Sequence, residues 1–214
     1  MQETWRWYGP FDKISLPDIA QTGATGIVTA LHEIPYGEVW HREAIAARNR
    51  EIQAAGFSWS VVESLPIHER IKRGEGDLSA LFANYRQSMA NLAANGIYTI
   101  CYNFMPLPGA YDRYDVASLR QALTLYEGLG RDDLRANFKR FLEEVIPTAQ
   151  ELGMRLCVHP DDPPRDILGL PRIVSNQDDI AWIMGAVAAS ANGLTLCSGS
   201  LGANPANDVP AVAR

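Results

Sequence analysis

The sequence predicts an α/β fold, read as an α/β barrel, and two patterns carry that expectation. Short β-like apolar runs alternate with longer runs of helical period, as repeated βα units on a parallel sheet require. Polar, chemistry-bearing residues fall at the carboxyl ends of those runs, above all in Arg155-Leu-Cys-Val-His159-Pro-Asp-Asp-Pro-Pro164. There a buried-looking strand delivers a histidine and two carboxylates into a loop that its prolines keep from becoming helix. An α/β barrel places its chemistry at such strand ends.

Six strands are expected, at Thr4–Tyr8, Gly26–Leu31, Ser58–Glu63, Tyr98–Asn103, Met154–His159 and Leu194–Ser198. The runs Ile27-Val-Thr-Ala-Leu31, Thr99-Ile-Cys-Tyr102 and Leu156-Cys-Val158 are nearly continuous in apolar character, which marks strands covered on both faces. Helices are expected between them. One starts at Ser15-Leu-Pro17-Asp18 and stops at Gly23, and another spans Arg42 to Ala55 before Gly56. Leu78, Leu81, Phe82, Tyr85, Met89 and Leu92 form an apolar stripe closed by Asn95-Gly96, and Leu134, Phe138, Phe141, Leu142, Val145 and Ile146 form a second. An additional helix is expected from Val116 to Glu127, and Ser175 to Asp178 has capping-box spacing before Ile180, Trp182, Ile183 and Val187. Six units are few for a closed eight-unit barrel. An open doubly wound sheet could use six, but no glycine-rich phosphate turn follows the first strand.

Composition narrows the function. The chain has 214 residues, 47% of them hydrophobic, and a net charge of −6 without a Lys/Arg cluster, which argues against nucleic acid. Its three cysteines, Cys101, Cys157 and Cys197, are far apart and lie in apolar runs, so no disulfide framework is expected and a reducing cytoplasm fits. Neither a signal peptide nor a stretch of 18 apolar residues occurs, so no membrane partner is expected. No repeat or linker interrupts residues 1–214, which read as a single domain.

Taken unit by unit, the strand ends supply Arg6, Tyr8 and Gly9; His32 and Glu33; Glu63 and His68; Tyr102 and Asn103; His159, Asp161 and Asp162; and Cys197, Ser198 and Ser200. Each has a plainer reading. His32 and His68 could be loop residues satisfied by backbone, Glu63 could cap a loop, Asn103 could hold a turn, and Arg6 could stack on Trp5 and Trp7. Cys101 and Cys157 read as small core residues. His159 and Cys197 stand apart, because each is expected to end one of two consecutive strands. Neighbouring strands lie about 5 Å apart, so an imidazole and a thiolate could share one divalent ion. Two ligands alone do not hold a metal.

Six segments together extend these observations: Trp5-Arg-Trp-Tyr-Gly-Pro10, Gly23-Ala-Thr-Gly-Ile-Val-Thr-Ala-Leu-His32, Trp59-Ser-Val-Val-Glu-Ser64, Cys101-Tyr-Asn-Phe-Met-Pro106, His159-Pro-Asp-Asp-Pro-Pro164 and Gly169-Leu-Pro-Arg-Ile-Val-Ser175. In these the chain resembles mannonate dehydratase over nearly its whole length. The resemblance implies a xylose-isomerase-like (β/α)8 TIM barrel, with about six of its eight βα units present here. It implies dehydration of D-mannonate to 2-dehydro-3-deoxy-D-gluconate in hexuronate breakdown, with Mn2+ or Fe2+ as cofactor, in a cytoplasmic homo-oligomer. His159 and Cys197 then correspond to metal ligands, and Arg6, Tyr8, His32 and Asn103 are candidates to bind substrate. Asp161 and Asp162 fall to supporting the loop.

The sequence also departs from that family. The family's other two ligands belong to motifs of the type Thr-His-Leu-Arg and Arg-Pro-Asp-His-Gly, and neither occurs here. The catalytic base is expected with the second of these. A long insertion that the family carries after the fourth strand is missing where Met105-Pro-Leu-Pro-Gly109 joins directly. The expectation is therefore an incomplete barrel, lacking a loop near residues 106–107 and the C-terminal units. The competing expectations are a metal-dependent sugar isomerase or epimerase on the same barrel, or a decayed, non-catalytic barrel if the chain ends at Arg214.

Overall fold

The computed structural model describes residues 1–107 and 115–214. Six parallel strands form one sheet in sequential order: β1 (Thr4–Arg6), β2 (Gly26–Thr29), β3 (Ser58–Glu63), β4 (Thr99–Tyr102), β5 (Arg155–Val158) and β6 (Asn192–Leu194). Each connection carries helix: α1 (Leu16–Ala20), α2 (Arg42–Ala54), α3 (Glu69–Arg73) with α4 (Ser79–Ala93), α5 (Val116–Thr124) with α6 (Arg131–Glu151), and α7 (Gln177–Ala186). Two short helices, α8 (Ser198–Gly202) and α9 (Val209–Val212), follow β6. Because order in the sheet equals order in the chain, all carboxyl ends share one rim. Among the described residues β1 and β6 do not pair, so the sheet is open between them.

Burial separates the two faces. Ile27, Thr29, Val62, Ile100, Tyr102, Leu156 and Val158 are sealed under the helices. The alternate positions Arg6, Val28, Glu63, Cys157 and Gly193 are half-buried on the opposite, inner face. A bulge between Ile27 and Val28 lets Trp59 and Val62, three residues apart on β3, both reach the helix side. Helix α6 supplies most of the cover: Phe138 stacks on Phe104 at 4.4 Å between ring centroids, and Phe141 packs against Tyr102 at 5.7 Å and Tyr85 at 5.1 Å. Pro147 within α6 is exposed, where its missing N–H is tolerated on the solvent side.

Three expectations need correction. The sixth strand is Asn192–Leu194, not Leu194–Ser198: Asn192 is buried and Nδ2 donates to Ile183 O and Val187 O, which ties the strand to α7 two residues earlier. Cys197 therefore does not end a strand but caps α8, a helix without an apolar stripe to announce it. The cap of α7 is Asn176, whose side chain accepts from Asp179 N, rather than Ser175, whose hydroxyl is used elsewhere.

Charges are buried under the sheet's rim as well. Lys72 is almost wholly buried and donates to Glu69 Oε1 at 2.6 Å and to Met105 O at 2.7 Å. Glu69 Oε2 accepts from Leu107 N at 3.0 Å and from the Tyr126 hydroxyl. The pair thus clamps the segment leaving β4. Pro108 and Gly109, the far side of the expected junction, lie outside the described residues.

Burial works to raise the Glu69 pKa, but the Lys72 charge and the hydrogen bonds from Lys72, Tyr126 and Leu107 outweigh it and hold the group below the usual 4.5. A carboxylate with a depressed pKa stabilises the fold above its ordinary value and loses that contribution as pH falls through the folded one. Urea unfolding at a series of pH values should therefore show a shallower loss of stability below about 4.5 in Glu69→Gln than in the parent. Lys72→Met, which leaves a buried carboxylate without its cation, should cost about 3 kcal/mol at neutral pH.

Candidate active site at the strand carboxyl rim

At the β5 end, His159 follows Val158 and its N–H donates to Tyr102 O, which continues the ladder one residue past the strand. Nδ1 lies 2.7 Å from Pro160 O. A carbonyl only accepts, so Nδ1 carries the proton and Nε2 presents a lone pair, the arrangement usual for a metal-bound histidine. Cys197 lies three residues beyond β6, the neighbour of β5 through the pairs Cys157↔Gly193 and Val158↔Leu194. Its Sγ accepts from Ser200 N at 3.4 Å and lies 3.2 Å from Ser200 Oγ. The rim thus carries one imidazole nitrogen and one sulfur on adjacent connections. No group of three or more His, Cys, Asp or Glu able to hold a metal occurs among the described residues.

Asp161 fixes the loop that carries His159. Oδ2 accepts from Val174 N at 2.6 Å and Ser175 Oγ at 3.0 Å, while Asp161 N donates to Val174 O at 2.9 Å. Burial pushes its carboxyl up to about 6, against the Val174 hydrogen bond, the Arg172 charge and the Ser175 hydroxyl. Asp162 is exposed, and its N–H donates to Met105 Sδ at 3.3 Å, joining this loop to the segment after β4. Asn103, half-buried, follows Tyr102 on that same segment.

The other candidates gather at the β1–β3 ends. Arg6 Nη1 lies 3.0 Å from Glu63 Oε2, and its guanidinium sits 4.9 Å from the Tyr8 ring centroid. Tyr8 in turn stacks on His32 at 5.6 Å. Arg6, Tyr8 and His32 therefore form one constellation, whereas His159 and Cys197 lie at the other end of the sheet. His68 joins neither: its Nδ1 accepts from Arg70 N at 3.1 Å as the cap of α3. Burial, the largest cause, holds its ring below the ordinary histidine value.

Sequence reasoning did not single out the residues that hold this rim in shape. Arg48 of α2 is buried and donates to Ala30 O and Glu33 Oε1, both at 3.2 Å, while its guanidinium lies 5.5 Å from Trp7. It ties the ends of β1 and β2 together. Its place between Ile45 and Ile52 on the buried stripe of α2 was a readable signal, because a cation there needs partners. Gly9, with φ +85°, passes so close to Arg48 that a Cβ would lie 2.7 Å from Nη1. Asp12 steadies the same turn, accepting from Tyr8 N at 2.8 Å and Ile14 N at 3.0 Å.

The rim geometry, two metal-type donors facing an arginine-aromatic cluster, agrees with comparison to known proteins. A family model described as D-mannonate dehydratase (UxuA) matches residues 1–108 and 106–214, so between them the two matches span the chain. The chain belongs to the mannonate dehydratase family. The mannonate dehydratase of Marinomonas sp. (strain MWYL1) is 41% identical over 283 residues, covering 98% of this chain and 72% of the relative. Since 98% of 214 residues is about 210, some 70 positions of that relative face a gap here, and the two family matches meet where the sequence lacks the family's insertion. The crystal structure of mannonate dehydratase from Streptococcus suis serotype 2 superposes with a TM-score of 0.91 at 35% identity, covering 99% of this chain and 68% of that one. A D-psicose 3-epimerase structure, 14% identical with a TM-score of 0.57 over 91% of this chain and 62% of its own, shares the fold alone. With these neighbours the six-stranded sheet is a xylose-isomerase-like TIM-barrel fold. Among the described residues, no helix of this family member is long and apolar enough to cross a membrane.

Asp161→Ala should remove two hydrogen bonds from buried donors and lower stability by about 2–4 kcal/mol. A lowered urea midpoint at unchanged slope would register this; an unchanged midpoint would contradict the role given to Asp161.

Proposed function

We propose that this chain carries the first six βα units of an enzyme that dehydrates D-mannonate to 2-dehydro-3-deoxy-D-gluconate and water, in the hexuronate breakdown of the cytoplasm. The observation that carries the reading is the pairing of β5 with β6, which sets His159 Nε2 and Cys197 Sγ on adjacent connections of one rim. That donor set fits half of a four-coordinate shell and suits Mn2+ or Fe2+, the thiolate leaning towards iron. The remaining two donors, and the catalytic base, would come from residues outside these 214. The protein would act as a homo-oligomer.

Dehydration breaks the C2–H and C3–O bonds of the acid, releases water, and leaves an enol that becomes the 2-keto product. Bound Mn2+ or Fe2+ would supply Lewis-acid neutralisation of the carboxylate and adjacent oxygen as charge develops at C2. His159 would serve this by keeping its proton on Nδ1 against Pro160 O, so that Nε2 stays unprotonated. Ser200 N–H, aimed at Cys197 Sγ, favours the thiolate. Asn103 on the segment after β4, with Arg6, Tyr8 and His32 across the rim, would orient the hydroxyl chain.

In protein that carries the remaining strands, D-mannonate with Fe2+ or Mn2+ should yield the 3-deoxy-2-keto acid, detected as its semicarbazone by absorbance. His159→Ala and Cys197→Ala should each lower kcat/KM by more than about 100-fold. An epimerised aldonic acid without loss of water would support the sugar epimerase alternative and overturn this one.

A further inference from the structure

A cavity of about 200 Å3 opens at the carboxyl ends of β1, β2 and β3, bounded by Arg6, Tyr8, His32, Tyr36, Trp40 and Ser64. Its polar wall is the Arg6–Glu63 pair, with 3.0 Å between Nη1 and Oε2. Its apolar wall is aromatic, with the Tyr8 ring stacked on His32. Arg6 Nε is buried and has no hydrogen-bond partner in the protein. A buried donor without an acceptor is costly, and a ligand oxygen reaching it would remove that cost.

The chemistry of this wall selects among ligand groups. A carboxylate has acceptors only, and here it would meet the Glu63 charge beside the guanidinium. A hydroxyl both donates and accepts, so it can take an Arg6 N–H and give its own proton to Glu63. The flat C–H face of a carbon chain suits the tyrosine beside it. At roughly 30 Å3 for each water displaced, the space takes a short polyol fragment rather than a whole sugar acid.

We propose that this cavity is the tail subsite, in which Arg6 and Glu63 hold the hydroxyls farthest from the carboxylate and thereby set the chain length of the aldonic acid accepted. The assignment deepens the function proposed above, which places the carboxylate at His159 and Cys197, and it makes Glu63 a specificity-determining residue. Every group it invokes lies within this chain, and none is a metal ligand.

The test is binding to the 214-residue protein, metal-free and then with Mn2+, using D-mannonate and a four-carbon aldonic acid that is too short to span the rim. Saturation-transfer NMR on the unmodified protein should label the C5 and C6 protons of mannonate most strongly, with or without Mn2+. Calorimetry with Glu63→Gln should show mannonate binding weakened about tenfold, as loss of a charged acceptor implies, and four-carbon acid binding unchanged. Labelling centred on C2 and C3 in the unmodified protein, or an equal loss for both acids in the variant, would overturn the tail subsite. Failure of Mn2+ to strengthen binding of the four-carbon acid, with C5 and C6 still labelled, would sink the metal-end reading and leave the tail subsite standing.

Discussion

The parallel register that runs unbroken from β1 to β6 is the constraint on which everything else in this molecule rests. With strands in chain order, each βα connection starts at the same rim, and residues more than 150 positions apart, such as Arg6 and His159, face one space. The register is held from outside by the α6 stripe of Leu134, Phe138, Phe141, Leu142, Val145 and Ile146, all fully buried. Burying a side chain of this size contributes about 1.5–3 kcal/mol, so these six outweigh any single polar contact at the rim. The inner face has no such cover, and its half-buried Arg6, Glu63 and Cys157 are the positions left for chemistry.

Buried charge converts that register into a shaped site. Arg48 binds the ends of β1 and β2, the Lys72–Glu69 pair clamps the segment after β4, and Asp161 pins the loop after β5 to Val174 and Ser175. Each sits just beneath a connection that carries candidate functional residues. Charges so placed contribute little net stability while paired, yet losing one partner is expensive, so each loop is held in one arrangement. The Lys72 clamp grips Met105 and Leu107, where relatives carry about 70 more residues, so the foundation of that insertion persists without it.

Much of this architecture is legible in the sequence because it follows from periodicity. The α4 and α6 stripes and five of the six strands lie where the apolar pattern puts them, with ends off by one to three residues. The sixth strand is the exception. Asn192-Gly-Leu194 has no β-branched residue, and its position comes from Asn192 reaching carbonyls of α7, a contact distant from any local preference. At the site, the grouping of Arg6, Tyr8 and His32 is foreseen by counting strand ends, but the Glu63 partner of Arg6 depends on the β3 bulge, which the sequence does not mark. Lys72 is harder still, since Glu69-Arg-Ile-Lys-Arg73 reads as a solvated charge run until the segment after β4 folds over it.

The central claim is that adjacent connections of this sheet bring an imidazole and a thiolate to one ion. Iron K-edge X-ray absorption of Fe2+-loaded protein tests it most directly. The account predicts one sulfur at about 2.3 Å, the length of a divalent metal–thiolate bond, absent in Cys197→Ser, and an imidazole scattering pattern that is lost in His159→Ala. A shell of oxygen and nitrogen alone in the parent protein, or a sulfur signal that survives Cys197→Ser, would contradict it.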